Sequence, residues 1–434
     1  MRLPTNRLFW AVSFGHMTND MIMSMRTVVL TFMSAYVLPM TGQQIGIAVS
    51  AIELSGALSQ PFFGQRADRT GGRWLGAGGI LWTATLMMTG LVVATVTGNY
   101  LLMLVPMALA GLGSAAFHPV GSMHATDVDP MRAGRNAALF FMCGQLGLAI
   151  SPALTGLLLN NAHSNLHEYF GSALGGAAPI WIERGTVLPV FILGLFVIPP
   201  AIWMATTLPR LKGHKVAQAT AVTTSENTGK STTPSRRVFL VLGMAIAFRS
   251  LAHLSTVNFL PYIFQQKGWL PAEYGFITGI FWVASAIAGI WFGHLGDRYD
   301  IRRVVLLSLL VAVPPIFLLP DLNGIFAILA ALLIGASSGA HSIIVVLAQN
   351  LLPGRKGFAS GAVLGFIFGS GAVGNLIVGS LIDRFDPATT YHIIALVTLL
   401  TCGLWLLLPV MNQKSHRPNP NSETFLDTLP ETAG

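Results

Sequence analysis

Long apolar runs alternate with short polar loops along nearly the whole chain. Twelve of these runs are long enough to cross a membrane, because a hydrocarbon core of roughly 30 Å takes about 20 residues of helix. The runs lie near residues 8–37, 43–63, 74–97, 100–123, 135–160, 185–208, 238–264, 274–294, 303–320, 322–348, 358–382 and 391–411. The pattern predicts an all-α membrane protein with twelve transmembrane helices. The short alternating strands that a transmembrane barrel needs are absent from the sequence.

Composition supports burial in lipid and argues against other partners. The 434 residues are 53% hydrophobic and only 10% charged, which is more apolar than a soluble core requires. The net charge of +8 does not indicate nucleic acid, because the Lys and Arg residues are scattered singly through short loops. The cysteines, Cys143 and Cys402, lie in apolar runs without metal-ligand spacing. We therefore expect a lipid environment, no disulfide framework, no metal and no cofactor.

One long polar stretch divides the chain into two halves. Residues 209–237 are rich in Thr and Ser, which is typical of a flexible linker. The sequence therefore predicts an N-terminal six-helix bundle at 1–208 and a C-terminal six-helix bundle at 238–411, joined by a cytoplasmic linker. The polar, Pro-bearing residues 412–434 predict a disordered cytoplasmic tail.

The distribution of basic residues predicts the orientation of the helices. An even number of spans places both termini on one side, and that side collects 20 of the 25 Lys and Arg residues. The opposite loops hold only Arg184, Lys267 and Arg384. By the positive-inside bias, we expect the basic side to be cytoplasmic. The first run follows MRLPTNRLFW with no small-residue cleavage site, so we interpret it as a retained span and not as a signal peptide.

Two loops carry similar residues at the same spacing. The loop at 64–73 reads GQRADRTGGR, and a related loop at 293–303 reads GHLGDRYDIRR. The matching positions are Gly64, Asp68, Arg69 and Arg73 in the first copy and Gly293, Asp297, Arg298 and Arg302 in the second. Such a repeat indicates a duplicated membrane unit. We predict that these residues gate a conformational change by holding one side closed, the alternative being that they only anchor the loops.

Few ionisable side chains lie within the predicted spans, where each costs roughly 2.5–3.5 kcal/mol even on a lenient insertion scale. They are His16, Asp20 and Arg26 in helix 1, Glu53 in helix 2, His118 in helix 4, Arg249 and His253 in helix 7, and His341 in helix 10. All except Glu53 lie on the first helix of a three-helix group. Symmetry therefore predicts that they surround one central, water-filled cavity. The alternative is that they lock pairs of helices together.

These residues suggest two roles. Asp20, aided by His16, is the best candidate to bind and release a proton, and Glu53 is a second candidate. For Glu53, pairing with Arg26 and a structural contact between helices 1 and 2 stay open alternatives. The predicted substrate-binding residues are Arg26, His118, Arg249, His253 and His341. The two Arg residues among them offer fixed positive charge to a carboxylate or phosphonate. No Walker loop, metal cluster or nucleophile constellation stands out, so no catalytic residue is predicted.

Small residues cluster in helix 5 at 144–156 and in helix 11 at 365–380. Such residues let two helix backbones approach closely. We therefore predict that both segments are packing surfaces between helices, with a role in sealing the cavity as the alternative.

The repeated loop also carries a family resemblance. Residues 64–73 resemble the signature loop between helices 2 and 3 of the major facilitator superfamily, and the second copy stands where that family has a degenerate repeat. Three further stretches resemble the fosmidomycin-resistance group of drug efflux proteins. They are SFGHMTNDMIMS at 13–24, GLGSAAFHPVGS at 111–122 and VVLAQNLLPGRKGFASG at 345–361. The resemblance covers about residues 8–411. It implies the major facilitator fold, alternating access by two rocking bundles, and a monomer.

Together these features predict a secondary transporter. The first hypothesis is a proton-coupled antiporter that exports a small, anionic, drug-like compound across the bacterial inner membrane. An importer that couples protons to an organic anion or nutrient would use the same residues and stays an open alternative. A membrane-embedded enzyme is the third class, which the missing catalytic motifs disfavour. The expected partners are the substrate, protons and lipid.

Overall fold

The computed structural model describes residues 3–70, 72–129, 132–161, 187–209, 236–341, 343–344, 347 and 356–410. The predicted linker lies outside the described residues between 210 and 235, and so does the predicted tail at 412–434. Much of the stretch 345–361, which carries part of the family resemblance, also lies outside them.

The N-terminal half forms one bundle. Its helices are α1 (Arg7–Tyr36), α2 (Gly42–Thr70), α3 (Arg73–Thr97), α4 (Tyr100–Asp127), α5 (Ala133–Asn161) and α6, which consists of a 3₁₀ turn (Leu188–Val190) and two helical pieces (Phe191–Leu195 and Ile198–Thr207). α1 packs against α5, α4 packs against both α2 and α3, and α6 lies on α1 and α3.

The C-terminal half repeats this arrangement. Its helices are α7 (Arg236–Gln266), α8 (Pro271–Arg298), α9 (Ile301–Leu318), α10 (Gly324–Ser338), α11 (Lys356–Arg384) and α12 (Pro387–Leu406). α7 packs against α11 and α12, α8 packs against α10, and α9 packs against α12 and α10. The described residues contain no strand, so the predicted all-α fold with two six-helix bundles is confirmed.

Local sequence signals place several helix ends. Asn6, Asn99 and Asp386 each accept a hydrogen bond from a backbone N–H in the first turn of the helix that follows, which satisfies an amide that has no partner within the helix. Gly98 ends α3 in the left-handed conformation, at φ 61°, which a residue with a side chain rarely adopts. Pro387 begins α12, where its missing N–H costs nothing.

Four helices differ in extent from the sequence prediction. α2 and α8 continue through most of the two repeated loops, as far as Thr70 and Arg298, so only the ends of those loops interrupt the helices. α6 is not one continuous helix: it breaks before Ile198–Thr207, whose first turn contains two consecutive prolines. α10 ends at Ser338, earlier than predicted, and the chain turns at Gly339 and Ala340.

Ten described helices are long and apolar enough to cross a membrane. α1 is not among these ten, since it carries several polar side chains, and α10 falls short because it has only 15 residues. The chain is therefore a multi-pass membrane protein. We call the side that carries the start of α1 and the end of α12 the terminus face, and the other side the opposite face.

The two bundles meet along two helix pairs, α2 with α11 and α5 with α8. Glycines allow the backbones to touch there: a Cβ added to Gly379 would lie 2.5 Å from the carbonyl oxygen of Gly42, and one added to Gly156 would lie 2.2 Å from that of Pro271. The Asp383 carboxylate of α11 also accepts hydrogen bonds from the Gly42 and Gln43 amides that begin α2, at 2.7 and 2.8 Å. The bundles are therefore closed against each other at the opposite face.

Candidate functional site

A cavity lies between the two bundles. It contains about 840 Å³ of space free of protein atoms, a figure that includes space open to solvent. Its wall is formed by residues of α1, α2, α4 and α5 from one bundle and of α7, α8 and α11 from the other. Four of the ionisable residues predicted from the sequence line it, namely Asp20, Arg26, Glu53 and His118.

One wall of the cavity carries a triad of Asp20, His16 and His118. The Nε2 atom of His16 lies 3.3 Å from Oδ2 of Asp20, and the Nε2 atom of His118 lies 3.4 Å from Oδ1. Asn19 donates to Oδ1 of Asp20 at 3.1 Å and to the Ser114 hydroxyl at 3.0 Å, which ties α1 to α4. The carboxylate is therefore held between two imidazole rings from two helices.

Backbone contacts determine which nitrogen of each ring carries hydrogen. Nδ1 of His16 lies 2.9 Å from the Phe140 carbonyl oxygen, and Nδ1 of His118 lies 2.8 Å from the Ser114 carbonyl oxygen. A carbonyl oxygen only accepts hydrogen bonds, so each Nδ1 must be the donor. In the neutral rings, each Nε2 therefore faces Asp20 with a lone pair.

The central contacts of the triad lack donors when no proton is added. The two Nε2 atoms and the ionised carboxylate are then all acceptors that face one another. One proton would satisfy one of the two contacts, and two protons would satisfy both and give the triad a single positive charge. Buried acceptors without donors are costly, so this geometry suits proton binding, which stays a prediction.

Packing restricts the His16 ring. The ring stacks on Phe140, with centroids 4.2 Å apart. A Cβ added to Gly144 of α5 would lie 2.5 Å from Nε2 of His16 and 2.8 Å from Oδ2 of Asp20. The small residue predicted as a packing position on helix 5 thus also makes room for the triad.

A second polar cluster, centred on Glu53, joins the two bundles. Arg26 of α1 pairs with Oε1 of Glu53 on α2. Asn258 of α7 donates to the same oxygen at 3.1 Å, and Asn375 of α11 donates to Oε2 at 2.9 Å. All four residues are buried. The carboxylate therefore accepts hydrogen bonds from three helices that belong to both halves, a wider role than the contact between helices 1 and 2 considered from the sequence.

The remaining predicted substrate-binding residues do not line this cavity. Arg249 donates to the Ser338 carbonyl oxygen at 3.0 Å, and Nε2 of His253 lies 3.2 Å from the Ser337 hydroxyl, so both side chains point towards α10. His341 follows α10 and lies in the same region. The expected single space around helices 1, 4, 7 and 10 is therefore only partly observed: the cavity includes α1, α4 and α7, and no described residue of α10 lines it.

The predicted gating residues lie where the repeated loops leave α2 and α8. Arg302 donates to the Leu408 carbonyl oxygen at 2.7 Å, a contact within its own bundle. The guanidinium of Arg73 lies 5.3 Å from the ring centre of Trp74. Gly64 is buried, Gly293 is partly buried, and Arg69 and Arg298 are exposed. The side chains of Asp68 and Asp297 lie outside the described residues. Gating by these loops stays a prediction.

Three asparagines of the site were not predicted from the sequence. Asn19, Asn258 and Asn375 are buried within apolar helices. A search for ionisable groups passes over them, although an amide in a membrane helix also needs a partner. Counting amides together with charges would have found all three.

The triad also has the composition of a metal site. One ligand atom from each of His16, Asp20 and His118 lies within 4.8 Å of the other two. Each imidazole donates its other N–H to a carbonyl oxygen, as metal-bound histidines commonly do. The sequence predicted no metal, and that stays a prediction.

The chain is similar to several known proteins. The sequence profile described as Major Facilitator Superfamily matches residues 12–248 and 238–431. The chain is 25% identical over 398 residues to the Fosmidomycin resistance protein of Escherichia coli (strain K12), which covers 90% of both chains. It is 27% identical over 409 residues to the uncharacterized MFS-type transporter YfnC of Bacillus subtilis (strain 168), which covers 91% of both. Among solved structures, the chain matches a bacterial homologue of the human lysosomal transporter Spinster in an inward-facing and occupied conformation. The TM-score is 0.69 and the identity 15%, and the match covers 92% of this chain and 95% of that one.

Proposed function

This chain belongs to the Major Facilitator Superfamily, a family of transporters and not of enzymes, and we propose that it exports a small organic anion in exchange for protons. The observation that carries the proposal is the triad of His16, Asp20 and His118, in which two imidazole Nε2 atoms face one carboxylate at the wall of a cavity that also holds a buried Arg. Export is the direction suggested by the name of the Fosmidomycin resistance protein.

The cavity offers an organic anion two kinds of contact. Arg26 provides fixed positive charge, because a guanidinium does not lose its proton in a protein. Asp20 stands six residues earlier on the same helix, roughly 9 Å along its axis. A substrate with an acidic group at one end and a hydroxyl or amide donor at the other can therefore reach Arg26 and the triad together.

Exchange follows if the substrate and the protons compete for the triad. The deprotonated triad presents three acceptor groups, the two Nε2 atoms and the carboxylate, and substrate donors can satisfy them in place of protons. Protons that arrive from the other side then displace the substrate donors. Each ligand therefore lowers the affinity for the other, which is the thermodynamic requirement for antiport.

The carboxylate that pairs with Arg26 is Glu53 of α2, and not Asp20 on the same helix as Arg26. When a substrate acid takes Arg26, Glu53 keeps its hydrogen bonds from Asn258 and Asn375. We infer that Glu53 holds Arg26 in place until the substrate arrives.

The same ion pair favours the second candidate function, import by proton symport. Protonation of Glu53 would release Arg26, so that a proton and an anion bind together and move in one direction. The two functions thus differ in which carboxyl group carries the coupled proton. Asp20 carries it in the antiporter, and Glu53 carries it in the symporter.

The available driving force is sufficient for export. One proton moving inward and one monoanion moving outward transfer two charges, which is worth roughly 4.6 kcal/mol at 100 mV. Each unit of pH difference adds about 1.4 kcal/mol. Either contribution alone sustains at least a tenfold outward gradient of substrate.

We place the protein in the bacterial inner membrane as a monomer, with both termini in the cytoplasm. This orientation rests on the excess of Lys and Arg at the terminus face. Because the bundles are closed at the opposite face, the described conformation is then the one open to the cytoplasm.

Transport in proteoliposomes tests the proposal. Purified protein is reconstituted, the vesicles are loaded with fosmidomycin as the probe, and the outside is acidified. An antiporter releases the drug faster than vesicles without a pH gradient do, whereas a symporter instead accumulates drug added outside. Asp20→Asn should lose the release driven by the gradient. Asp321→Asn, the same substitution at an exposed turn, should keep it.

Two results would contradict antiport through the triad. One is release that is independent of the pH gradient in wild-type protein. The other is an Asp20→Asn variant that responds to the gradient as strongly as wild type does.

A further inference from the structure

A buried Arg in the C-terminal bundle has no counterion among the described residues. Arg249 of α7 is 3% exposed, and no described carboxylate lies within ion-pair distance of it. Its only described hydrogen bond is the one to the Ser338 carbonyl oxygen, and its Nε–H has no acceptor. The guanidinium stays charged when buried, so its desolvation must be compensated by another group.

Two histidines add hydrogen-bonding nitrogens to this region. His253 lies one turn after Arg249 and is 2% exposed, and its Nδ1 atom has no hydrogen-bond partner among the described residues. His341 is close enough to interact electrostatically with both Arg249 and His253. The three side chains thus share one region between α7 and α10, where Nε of Arg249 and Nδ1 of His253 have no described partner.

The position of Arg249 matches that of Asp20 in the other bundle. Arg249 stands 229 residues after Asp20, the same interval that separates Gly64 from Gly293 in the repeated loops. The same interval separates the first residue of α1 from that of α7, and the first residue of α2 from that of α8. Asp20 contacts α4, and Arg249 contacts α10, the corresponding helix of the second bundle. The two bundles therefore carry opposite charges at equivalent positions, each flanked by two histidines.

We propose that Arg249, together with His253 and His341, binds a small oxyanion within the C-terminal bundle, at a site separate from the cavity. The unsatisfied Nε–H lies beside the guanidinium N–H groups in one plane, the geometry that matches two oxygens of a phosphate, phosphonate or carboxylate group. His253 can provide a further donor. The anion supplies the negative charge that the surrounding helices lack.

Thermal unfolding of the full-length protein in neutral detergent tests this site. Sodium chloride is replaced stepwise by sodium phosphate or sodium acetate at constant ionic strength and pH 7.5. The two salts distinguish free inorganic phosphate from the carboxylate group of an organic compound. We expect at least one of them to raise the unfolding midpoint of wild type by about 3 °C or more near saturation.

Variants locate the effect. Arg249→Met should show no midpoint rise with either salt, and in chloride alone it should be at least as stable as wild type, because the uncompensated charge is gone. Arg249→Lys keeps the charge without the planar fork and should bind the anion at least tenfold more weakly in isothermal calorimetry. Arg237→Gln, at an exposed position on the same helix, should respond like wild type.

Three results would overturn the site. The first is a wild-type midpoint that neither oxyanion changes. The second is an Arg249→Met variant that keeps the full midpoint rise. A variant that is less stable than wild type in every salt would also count, since Arg249 would then serve only to join α7 to α10. The third is a response that Arg26→Gln removes and Arg249→Met retains, because the anion would then bind in the cavity. None of these measurements depends on proton coupling, so the proposed transport function can fail or hold independently.

Discussion

The contact between α2 and α11 at the opposite face allows a quantitative prediction. Gly46 of α2 lies against the backbone of Asn375, and a Cβ added there would be 2.5 Å from the Asn375 carbonyl oxygen. Ordinary contacts of this kind begin at 3.4 Å, so Gly46→Ala requires the helices to separate by about 0.9 Å at this point. The neighbour is backbone, which cannot move aside as a flexible side chain can.

The cost applies to only one of the two conformations. Overpacking of a well-packed contact costs about 1–3 kcal/mol, which changes an equilibrium about 5- to 150-fold. When the bundles open at the opposite face, the added methyl group has no clash, and Ala is the better helix former by roughly 0.8–1 kcal/mol. Gly46→Ala should therefore shift the population towards the conformation that is open at the opposite face.

Spin labels can measure this shift in lipid. Thr41 and Phe385 are exposed and lie at the opposite face, next to the starts of α2 and α12. The distance distribution between labels at these positions should gain a longer component in Gly46→Ala. The control is Gly403→Ala on α12, where no atom lies within 4 Å of the added Cβ. Identical distributions for wild type and Gly46→Ala would refute the reasoning.

Three further predictions follow from single contacts. Glu53→Gln leaves the buried Arg26 without its countercharge and should destabilise the protein by about 3–5 kcal/mol in denaturant unfolding. Most of that loss should disappear in the double variant Arg26→Met/Glu53→Gln. If the losses of the two single variants simply add in the double variant, the ion pair is not coupled. Gly144→Ala should displace His16 and abolish transport driven by a pH gradient. The control Gly243→Ala, where no atom lies within 4 Å of the added Cβ, should transport normally. Equal activity in the two variants would show that the triad tolerates the displacement. Hydrogen bonds from the Thr389 side chain and amide hold the pKa of the Asp386 carboxyl below its ordinary value. The capping of α12 by Asp386 is therefore fully present above about pH 4 and is lost as the pH falls through the folded-state pKa. Amide exchange at Thr389 should be faster in Asp386→Ala than in wild type at pH 7, and the difference should shrink in acid; a difference that stays constant would contradict the assignment.

The sequence predicted some members of the site without predicting their arrangement. Asp20 and His16 stand four residues apart on one helix, so their contact follows from helical spacing. His118 and Asp20 are 98 residues apart, and their contact depends on how α4 is rotated against α1. For the same reason, the sequence left open whether Glu53 pairs with Arg26, and the structure shows that pair.

The sequence by itself determined the class of the protein, because the thickness of the bilayer and the cost of charge in lipid act on each segment separately. Run lengths predicted the helices, the repeated loop predicted two related halves, and isolated ionisable residues marked helices 1, 4, 7 and 10. Only the tertiary structure decided which of these charges share a cavity and which, like Arg249, lie elsewhere. The Glu53 cluster joins residues up to 322 positions apart. Such contacts depend on helix rotation and on close packing at glycines such as Gly46 and Gly379, and no local pattern encodes either.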